Sequence, residues 1–188
     1  MSGFPLHPGG TAHTLRLLER AESAGLAPGA GILDLGAGDG GTVRLLRDRG
    51  YEALGLDLNP APEDVSLPHA VLKGNFLHAP FPEGRFDAVI SQCAFYVSGD
   101  PVRALEESFR LLKAGGLLLL SDVAFDPLRS QAEAAGFRVL WEEDMTSLWK
   151  EYYIEALWQG VPLCGTVPKK KCAYTALVCR KDVERGSI

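Results

Sequence analysis

One short stretch concentrates residue types suited to holding a ligand. Gly36-Ala37-Gly38-Asp39-Gly40-Gly41 is preceded by Asp34 and followed, 21 residues after Gly36, by Asp57. Glycines at this density permit a tight turn and let a ligand lie against bare backbone. A helix starting just beyond the turn presents its unpaired N–H groups to that ligand. The string fits two patterns at once: Gly36, Gly38 and Gly41 make a G-x-G-x-x-G, while Gly36, Gly38 and Gly40 make a G-x-G-x-G. An acid ending the next strand, as Asp57 would, holds ribose hydroxyls in either case. The loop alone therefore leaves the ligand open. Asp34 shifts the balance, because a carboxylate beside the turn repels a diphosphate and attracts a ligand with an amino group.

Such a turn works only between a strand and a helix, and the chain supplies both. Seven stretches read as strands: Gly31–Leu35, Ala53–Asp57, Ala70–Lys73, Phe86–Ser91, Leu117–Asp122, Phe137–Trp141 and Ala173–Cys179. Residues 32–35, 87–90 and 117–120 are near-continuously apolar, as in strands covered on both faces. Between them lie helical stretches closed by glycine: Thr14–Ala24 before Gly25, and Thr42–Arg49 before Gly50. Asp100-Pro101 reads as an N-cap with proline in the first turn, with Val102, Leu105, Phe109 and Leu112 as the apolar face and Lys113 in the last turn. Asp126-Pro127 opens another helix in the same manner, and Met145–Gln159 is the last. Strands alternating with helices predict an α/β fold, a parallel sheet doubly wound with helices on both faces. Ligands of such sheets bind outside the carboxyl ends of the strands, where this glycine turn falls.

Composition narrows the function further. The chain has 188 residues, 46% of them hydrophobic, and a net charge of −5 from 19 basic and 24 acidic side chains. That length predicts one domain with an adequate core. No apolar run approaches the ~20 residues of a membrane helix, and the first ten residues lack a signal-peptide pattern. An acidic chain with one basic run, Lys169 to Lys171, does not predict nucleic-acid binding. Cys93, Cys164, Cys172 and Cys179 show no metal-type spacing, so no metal is expected, and a reduced cytoplasmic setting fits best.

Several spaced motifs then agree. Ile32-Leu33-Asp34-Leu35-Gly36-Ala37-Gly38-Asp39-Gly40 resembles the first motif of class I methyltransferases that use S-adenosylmethionine, a cationic nucleoside without phosphate. Gly55-Leu56-Asp57-Leu58 is similar to their second strand, and Gly74-Asn75-Phe76 with Pro80-Phe81 and Phe86-Asp87-Ala88-Val89-Ile90 to their adenine-side loop and fourth strand. Ala104-Leu105-Glu106-Glu107 and Arg110-Leu111-Leu112-Lys113-Ala114-Gly115-Gly116 resemble the subgroup that includes ubiquinone and menaquinone methyltransferases. The resemblance spans about residues 28–125 and departs at Asn75, where the family usually has Asp, and at Ala114, where it usually has Pro.

What the resemblance implies is a Rossmann-like mixed sheet of seven strands, the last antiparallel. It implies S-adenosylmethionine as cofactor and a small-molecule methyl acceptor. Gly36, Ala37, Gly38 and Gly40 would line the cofactor together with Asp34. Asp57 would take the ribose hydroxyls, Leu58 and Phe76 would flank the adenine, and Asn75 would meet its amino edge. Ser91 and Gln92 would lie near the methionine part. On the acceptor side, Cys93, Phe95 and Tyr96 follow the fourth strand, and Tyr153 falls partly off the apolar stripe of its helix, as do Leu157 and Trp158. His13 and Asp122 are the candidate general bases. The single domain would divide into an N-terminal lid or helix (1–27), a cofactor-binding core (28–125) and a substrate-side part (126–188). A monomer or homodimer, without nucleic-acid or membrane partners, is expected. Two other readings stay open at this point: a non-catalytic protein that binds the same cofactor, and an oxidoreductase binding NAD(P) or FAD. Cys172 and Cys179, seven apart on one predicted strand, should face opposite sides and so argue against a shared thiolate site.

Overall fold

A computed structural model describes residues 4–5, 7–61, 70–161 and 171–182. Strands β1 (Gly31–Leu35), β2 (Glu52–Asp57), β3 (Val71–Lys73), β4 (Phe86–Gln92), β5 (Leu112–Ala124), β6 (Phe137–Asp144) and β7 (Ala173–Lys181) form one sheet in the order β3-β2-β1-β4-β5-β7-β6. Pairings among β1 to β5 are parallel, and β7 runs antiparallel to both β5 and β6. The order reverses between β1 and β4, and that switch point is where doubly wound sheets leave a crevice.

Alternation along each strand divides the core into two layers. Ile32, Ala53, Ala88, Ile90, Leu117, Leu119 and Val178 face one side. They pack there against helices α1 (Gly10–Ser23), α2 (Gly41–Asp48) and α5 (Thr146–Gln159) through Leu17, Leu18, Val43, Leu46 and Trp149. Leu33, Leu35, Leu56, Val89, Leu118, Leu120 and Leu177 face the other side, against α3 (Pro101–Leu111) and α4 (Leu128–Ala134). Both faces are covered, which is why the central strands carry almost no polar residues. The polar exceptions, Asp34, Ser91, Ser121 and Asp122, all fall toward the carboxyl ends.

The expected seven strands and their order of appearance match the structure, with shifts at the ends. Lys113 is not in the last turn of a helix. α3 stops at Leu111 because Leu112 is already extended (ψ 139°), and Lys113 instead pairs with Asp87 at 2.7 Å. Asp126 does not cap α4, whose N-cap is Pro127 with no side-chain hydrogen bond; Asp126 offers its backbone carbonyl to Gln131. Asp100 does cap α3, accepting from Arg103 N at 3.0 Å. Cys172 precedes β7 rather than lying on it, Cys179 is buried, and Cys164 lies outside the described residues, as do Lys169 and Lys170. No helix among the described residues is long and apolar enough to cross a membrane.

Candidate functional site

The turn after β1 is built mostly from backbone. Gly36 N donates to Leu56 O at 2.9 Å, tying the turn to β2. Gly36 has φ 82°, and a Cβ on it would lie 2.3 Å from Ala94 Cβ, so glycine is required on both counts. The same closeness shows that the loop after β4 sits directly on the turn. Gly38 is different: φ is 55°, but among the described residues a Cβ there would meet nothing within 4 Å. Its freedom serves open space rather than a crowded neighbour, the condition for a ligand lying on the backbone. Ala37 is buried beneath the turn, and Gly40 caps α2 with φ 78°.

Two carboxylates frame this cradle in unlike ways. Asp57, at the end of β2, accepts from Gly38 N at 2.9 Å and from Asn59 N at 2.8 Å, which fixes the turn and orients the carboxylate at the rim. Asp34 is 4% exposed, and its carboxyl has no hydrogen bond among the described residues. Burial, with Asp57 and then Asp39 adding like charge, pushes its pKa up to about 7. A buried carboxyl without donors is costly. It does not tie down the turn, which is the role a structural Asp at this place would have.

The adenine-side candidates gather on the next rim. Leu58, just past the end of β2, is 59% exposed. Phe76 stacks obliquely on Phe95, ring centroids 5.9 Å apart, and approaches the place of a Gly36 side chain. Asn75 is exposed and caps the short 3-10 turn Phe76–His78, accepting from Leu77 N at 2.9 Å, so one lone pair of its carbonyl is already engaged. Beneath this turn lies an anchor that sequence reasoning passed over. Glu107 on α3 is buried, accepts from Ala79 N at 2.9 Å, and pairs with Arg103 and Arg110. The two arginines in turn donate to Leu77 O, Ala79 O and Phe81 O. Burial alone would raise the Glu107 pKa, but Arg110 and the Ala79 N–H hold it below the usual range. The signal available in the sequence was the acid and base pattern of residues 103, 107 and 110 on one face of a helix.

Three of the expected site residues are placed otherwise. Ser91 is fully buried and donates to Leu35 O at 2.8 Å, because its place in the pleat turns it toward β1 rather than the crevice. Phe95 is 1% exposed and belongs to the α3-side core, so it is not an acceptor contact but the floor under Phe76. Asp122 is also buried, and it accepts from Phe95 N, Tyr96 N and Val123 N at 2.7, 3.1 and 2.7 Å. Burial pushes its pKa up to about 6, against those three donors. With three of its roughly four lone-pair sites taken up in holding the loop after β4, Asp122 is placed to position that loop.

The remaining candidates meet at the ends of β4 and β5. Gln92 accepts from Thr14 Oγ1 at 3.0 Å, and its Nε2 lies 3.4 Å from His7 Nδ1, which brings α1 and the segment before it onto the crevice. Tyr152 on α5 donates to Pro5 O at 2.8 Å and stacks with Phe4. Cys93 has φ 61°, uncommon for a non-glycine residue. Its Sγ is 3.2 Å from Tyr174 Oη, which donates onward to Ser121 Oγ at 3.2 Å. Tyr96 is half-buried against Phe125, and Tyr153 packs on Trp149, ring centroids 5.1 Å apart. His13 is 2% exposed, and burial, with His7 and Arg16 beside it, lowers its pKa to about 4. Leu157 and Trp158 are exposed, the latter by 86%. No group of three or more metal-type side chains occurs among the described residues.

Two clefts of about 510 Å³ each open at the opposite rim of the sheet, near Gly29, Asp87 and Lys113. There Asp87 accepts from Gly31 N and Lys113 Nζ, so its carboxylate is already satisfied. The buried carboxyl without donors, the open glycine and the strained Cys93 all lie at the other rim.

The strand order, the glycine turn after β1 and the acid at the end of β2 are those of a doubly wound, Rossmann-like sheet with its ligand crevice at the switch point. Comparison with known proteins agrees: residues 33–120 match the family described as "Methyltransferase domain". Residues 33–120, a little under half of the chain, are thus similar to methyltransferase domains. It is 32% identical over 111 residues to malonyl-[acyl-carrier protein] O-methyltransferase of Serratia marcescens, covering 57% of this chain and 44% of that protein. It is 33% identical over 149 residues to the ubiquinone/menaquinone biosynthesis C-methyltransferase UbiE of Vibrio vulnificus, covering 70% and 56%. The chain therefore spans about half the length of these curated relatives. In fold it is similar to Haemonchus contortus phosphoethanolamine N-methyltransferase 2 solved with S-adenosyl-L-methionine, with a TM-score of 0.73 at 18% identity, covering 96% of this chain and 54% of that one.

Proposed function

We propose that this protein transfers the methyl group of S-adenosylmethionine to a small-molecule acceptor. The observation that carries the reading is Asp34, a buried carboxyl without a hydrogen bond among the described residues, beside a glycine turn whose central position has no described neighbour within 4 Å. That arrangement suits an ammonium group and opposes a diphosphate, so it favours this cofactor over NAD(P) or FAD.

The residues present fit the cofactor. Asp34, ionised, would hold the amino group; Gly36, Gly38 and Gly40 would offer backbone to the methionine and ribose parts. Asp57 would accept from the ribose hydroxyls with the lone pairs that Gly38 and Asn59 leave over. Leu58 and Phe76 would flank the adenine, and Asn75 would meet its edge. When bound, S-adenosylmethionine supplies a methyl carbon already activated by a positive sulfur. The chain's own work is then to position the acceptor and exclude water. Phe4 and Pro5, held on Tyr152, together with His7 on Gln92, support the reading of residues 1–27 as a cover over a core of 28–125, with 126–188 on the acceptor side. Together these would be one domain, acting in the cytoplasm as a monomer or homodimer. Its acidic balance and the absence of a long apolar helix among the described residues support an acceptor that is neither nucleic acid nor membrane.

Calorimetry with S-adenosylhomocysteine and NAD tests this directly. The first should bind and the second should not. Asp57→Ala should weaken the first by about 1.5–3 kcal/mol, the scale of a lost charge-assisted hydrogen bond. Binding of NAD in preference to S-adenosylhomocysteine would overturn the reading, and unchanged affinity in the variant would place the ribose elsewhere.

A further inference from the structure

Two arginines stand side by side at the rim of the sheet opposite the crevice, and neither pairs with an acid. Arg180 on β7 lies directly across from Arg138 on β6 in the antiparallel register, so both side chains project from one face with Cβ atoms roughly 5 Å apart. Like charges so placed repel each other. Among the described residues neither guanidinium forms an ion pair. Arg180 Nη2 donates to Ala24 O, the C-cap of α1, while its Nε has no acceptor among the described residues. One of five N–H groups therefore serves the helix end, and the charge itself stays uncompensated.

Arg180 is half-buried and lines one of the two clefts of about 510 Å³ at this rim. Residues 24–30, between α1 and β1, form one wall, and residues 114–117, near the start of β5, form the other. Much of both walls is bare backbone: a Cβ on Gly29 or Gly115 would meet no described residue within 4 Å. Asp87 is the one acid among the lining residues, and Lys113 Nζ at 2.7 Å with Gly31 N at 2.9 Å already engages it. The adjoining cleft shares Gly29, Asp87 and Lys113 and adds Arg47 and Arg85 against Glu52. This rim is thus locally positive on a chain whose net charge is −5.

We propose that the cleft is a second ligand site and takes a small phosphomonoester, with its phosphate on Arg180 and Arg138 and its body along the walls at Pro28 and Ala114. A phosphomonoester carries a charge of about −1.5 to −2 at neutral pH, which matches two uncompensated guanidiniums. The planar fork of arginine suits its oxygens. The volume is within the range of small-molecule sites. Gly31 and Leu35 bound β1, so roughly 13 Å of strand separates this cleft from the glycine turn. The two ends favour opposite charge, Asp34 toward cations and the arginines toward anions, so the site stands apart from the methyl-transfer reading.

NMR titration of the full chain with phenyl phosphate, benzoate and inorganic phosphate tests the charge and the body separately. Phenyl phosphate should bind about tenfold more tightly than benzoate, which lacks the second charge, and more tightly than inorganic phosphate, which lacks the ring. It should move the amide resonances of Gly29 and Gly115 and the Nε–H of Arg180. Arg138 is exposed and bonds nothing described, so Arg138→Gln leaves the fold alone and should weaken phenyl phosphate about tenfold, with Arg138→Lys recovering part. Asp87→Asn releases Lys113 and should strengthen binding severalfold. Saturating S-adenosylhomocysteine should leave the affinity within about twofold. Benzoate or inorganic phosphate binding as tightly as phenyl phosphate, resonances that do not move, unchanged affinity in Arg138→Gln, competition by S-adenosylhomocysteine, or no binding of phenyl phosphate would each overturn the proposal. Failure of S-adenosylhomocysteine itself to bind removes the methyl-transfer reading and leaves the outcome at this cleft to be read from the phosphate probes alone.

Discussion

Asp34→Asn should make the empty protein more stable and the cofactor harder to bind, both in a pH-dependent way. The Asp34 carboxyl has a pKa of about 7 in the fold against 3.8 in an open chain. Between those values the folded protein holds a proton that the unfolded chain has released. Stability from this group is therefore greatest below about pH 4 and falls as the pH rises to 7, above which the full penalty applies. The difference corresponds to ~4 kcal/mol. Asparagine removes the charge but leaves a buried amide without partners, which costs ~1–3 kcal/mol. The net gain at pH 8 should then be about 1–3 kcal/mol, shrinking or reversing toward pH 4. Urea denaturation of both proteins at pH 4.5 and pH 8 reads this directly. For the ligand the sign is opposite: the ionised form is wanted, so wild-type affinity for S-adenosylhomocysteine should drop as pH falls below about 7. The asparagine variant should bind more weakly by about 1.5–3 kcal/mol and lose that part of the pH dependence. A stability difference between variant and wild type that is the same at both pH values would refute the reasoning, since it would mean that Asp34 is not held neutral by the fold.

Two further perturbations separate the turn from its supports. Gly36→Ala meets Ala94 Cβ at 2.3 Å in a left-handed backbone and should cost about 2–4 kcal/mol of stability, measured by denaturation. Gly38→Val meets no described residue and should cost only about 1–2 kcal/mol, while titration should show S-adenosylhomocysteine binding lost because its branched side chain projects into the cradle. Glu107→Gln breaks a buried pairing with Arg103 and Arg110 and should cost about 3 kcal/mol. By loosening Ala79 it should also weaken cofactor binding severalfold; a fully stable variant would show that the pairing is dispensable.

The parts legible in the sequence were those governed by local rules. The apolar runs at 32–35, 87–90 and 117–120 announced buried parallel strands, and the glycine turn with Asp34 and Asp57 could be placed at the carboxyl ends because strand and helix flank it directly. What could not be read was which way a side chain at a strand end turns, and which backbone groups nearby lack partners. Ser91 and Gln92 are neighbours, yet one faces β1 and is consumed by Leu35 O while the other faces α1 and meets Thr14. Asp122 looked like a base because it ends a strand beside the crevice. It is instead committed to the N–H groups of a loop that lies far away in sequence, Phe95 and Tyr96. Phe95 looked like a wall for the acceptor, but that same loop folds it under Phe76. Lys113 was misplaced for a simpler reason: helix and strand join there without a linker, and composition does not mark the joint.

The placement of β7 sets an order on events when the protein is made. β7 lies between β5 and β6, so β6 has no sheet neighbour except a segment that follows it by about thirty residues. While a ribosome is still extending the chain, β1 to β5 can already assemble with α1, α2 and α3. The outer edge of β5 then stands open along Leu117–Ala124 until Ala173–Lys181 emerges to fill it. That interval leaves an apolar strand edge without a neighbour, a setting in which nascent chains pair with one another. Among the described strands, the one synthesised after the others is therefore the one that seals the sheet.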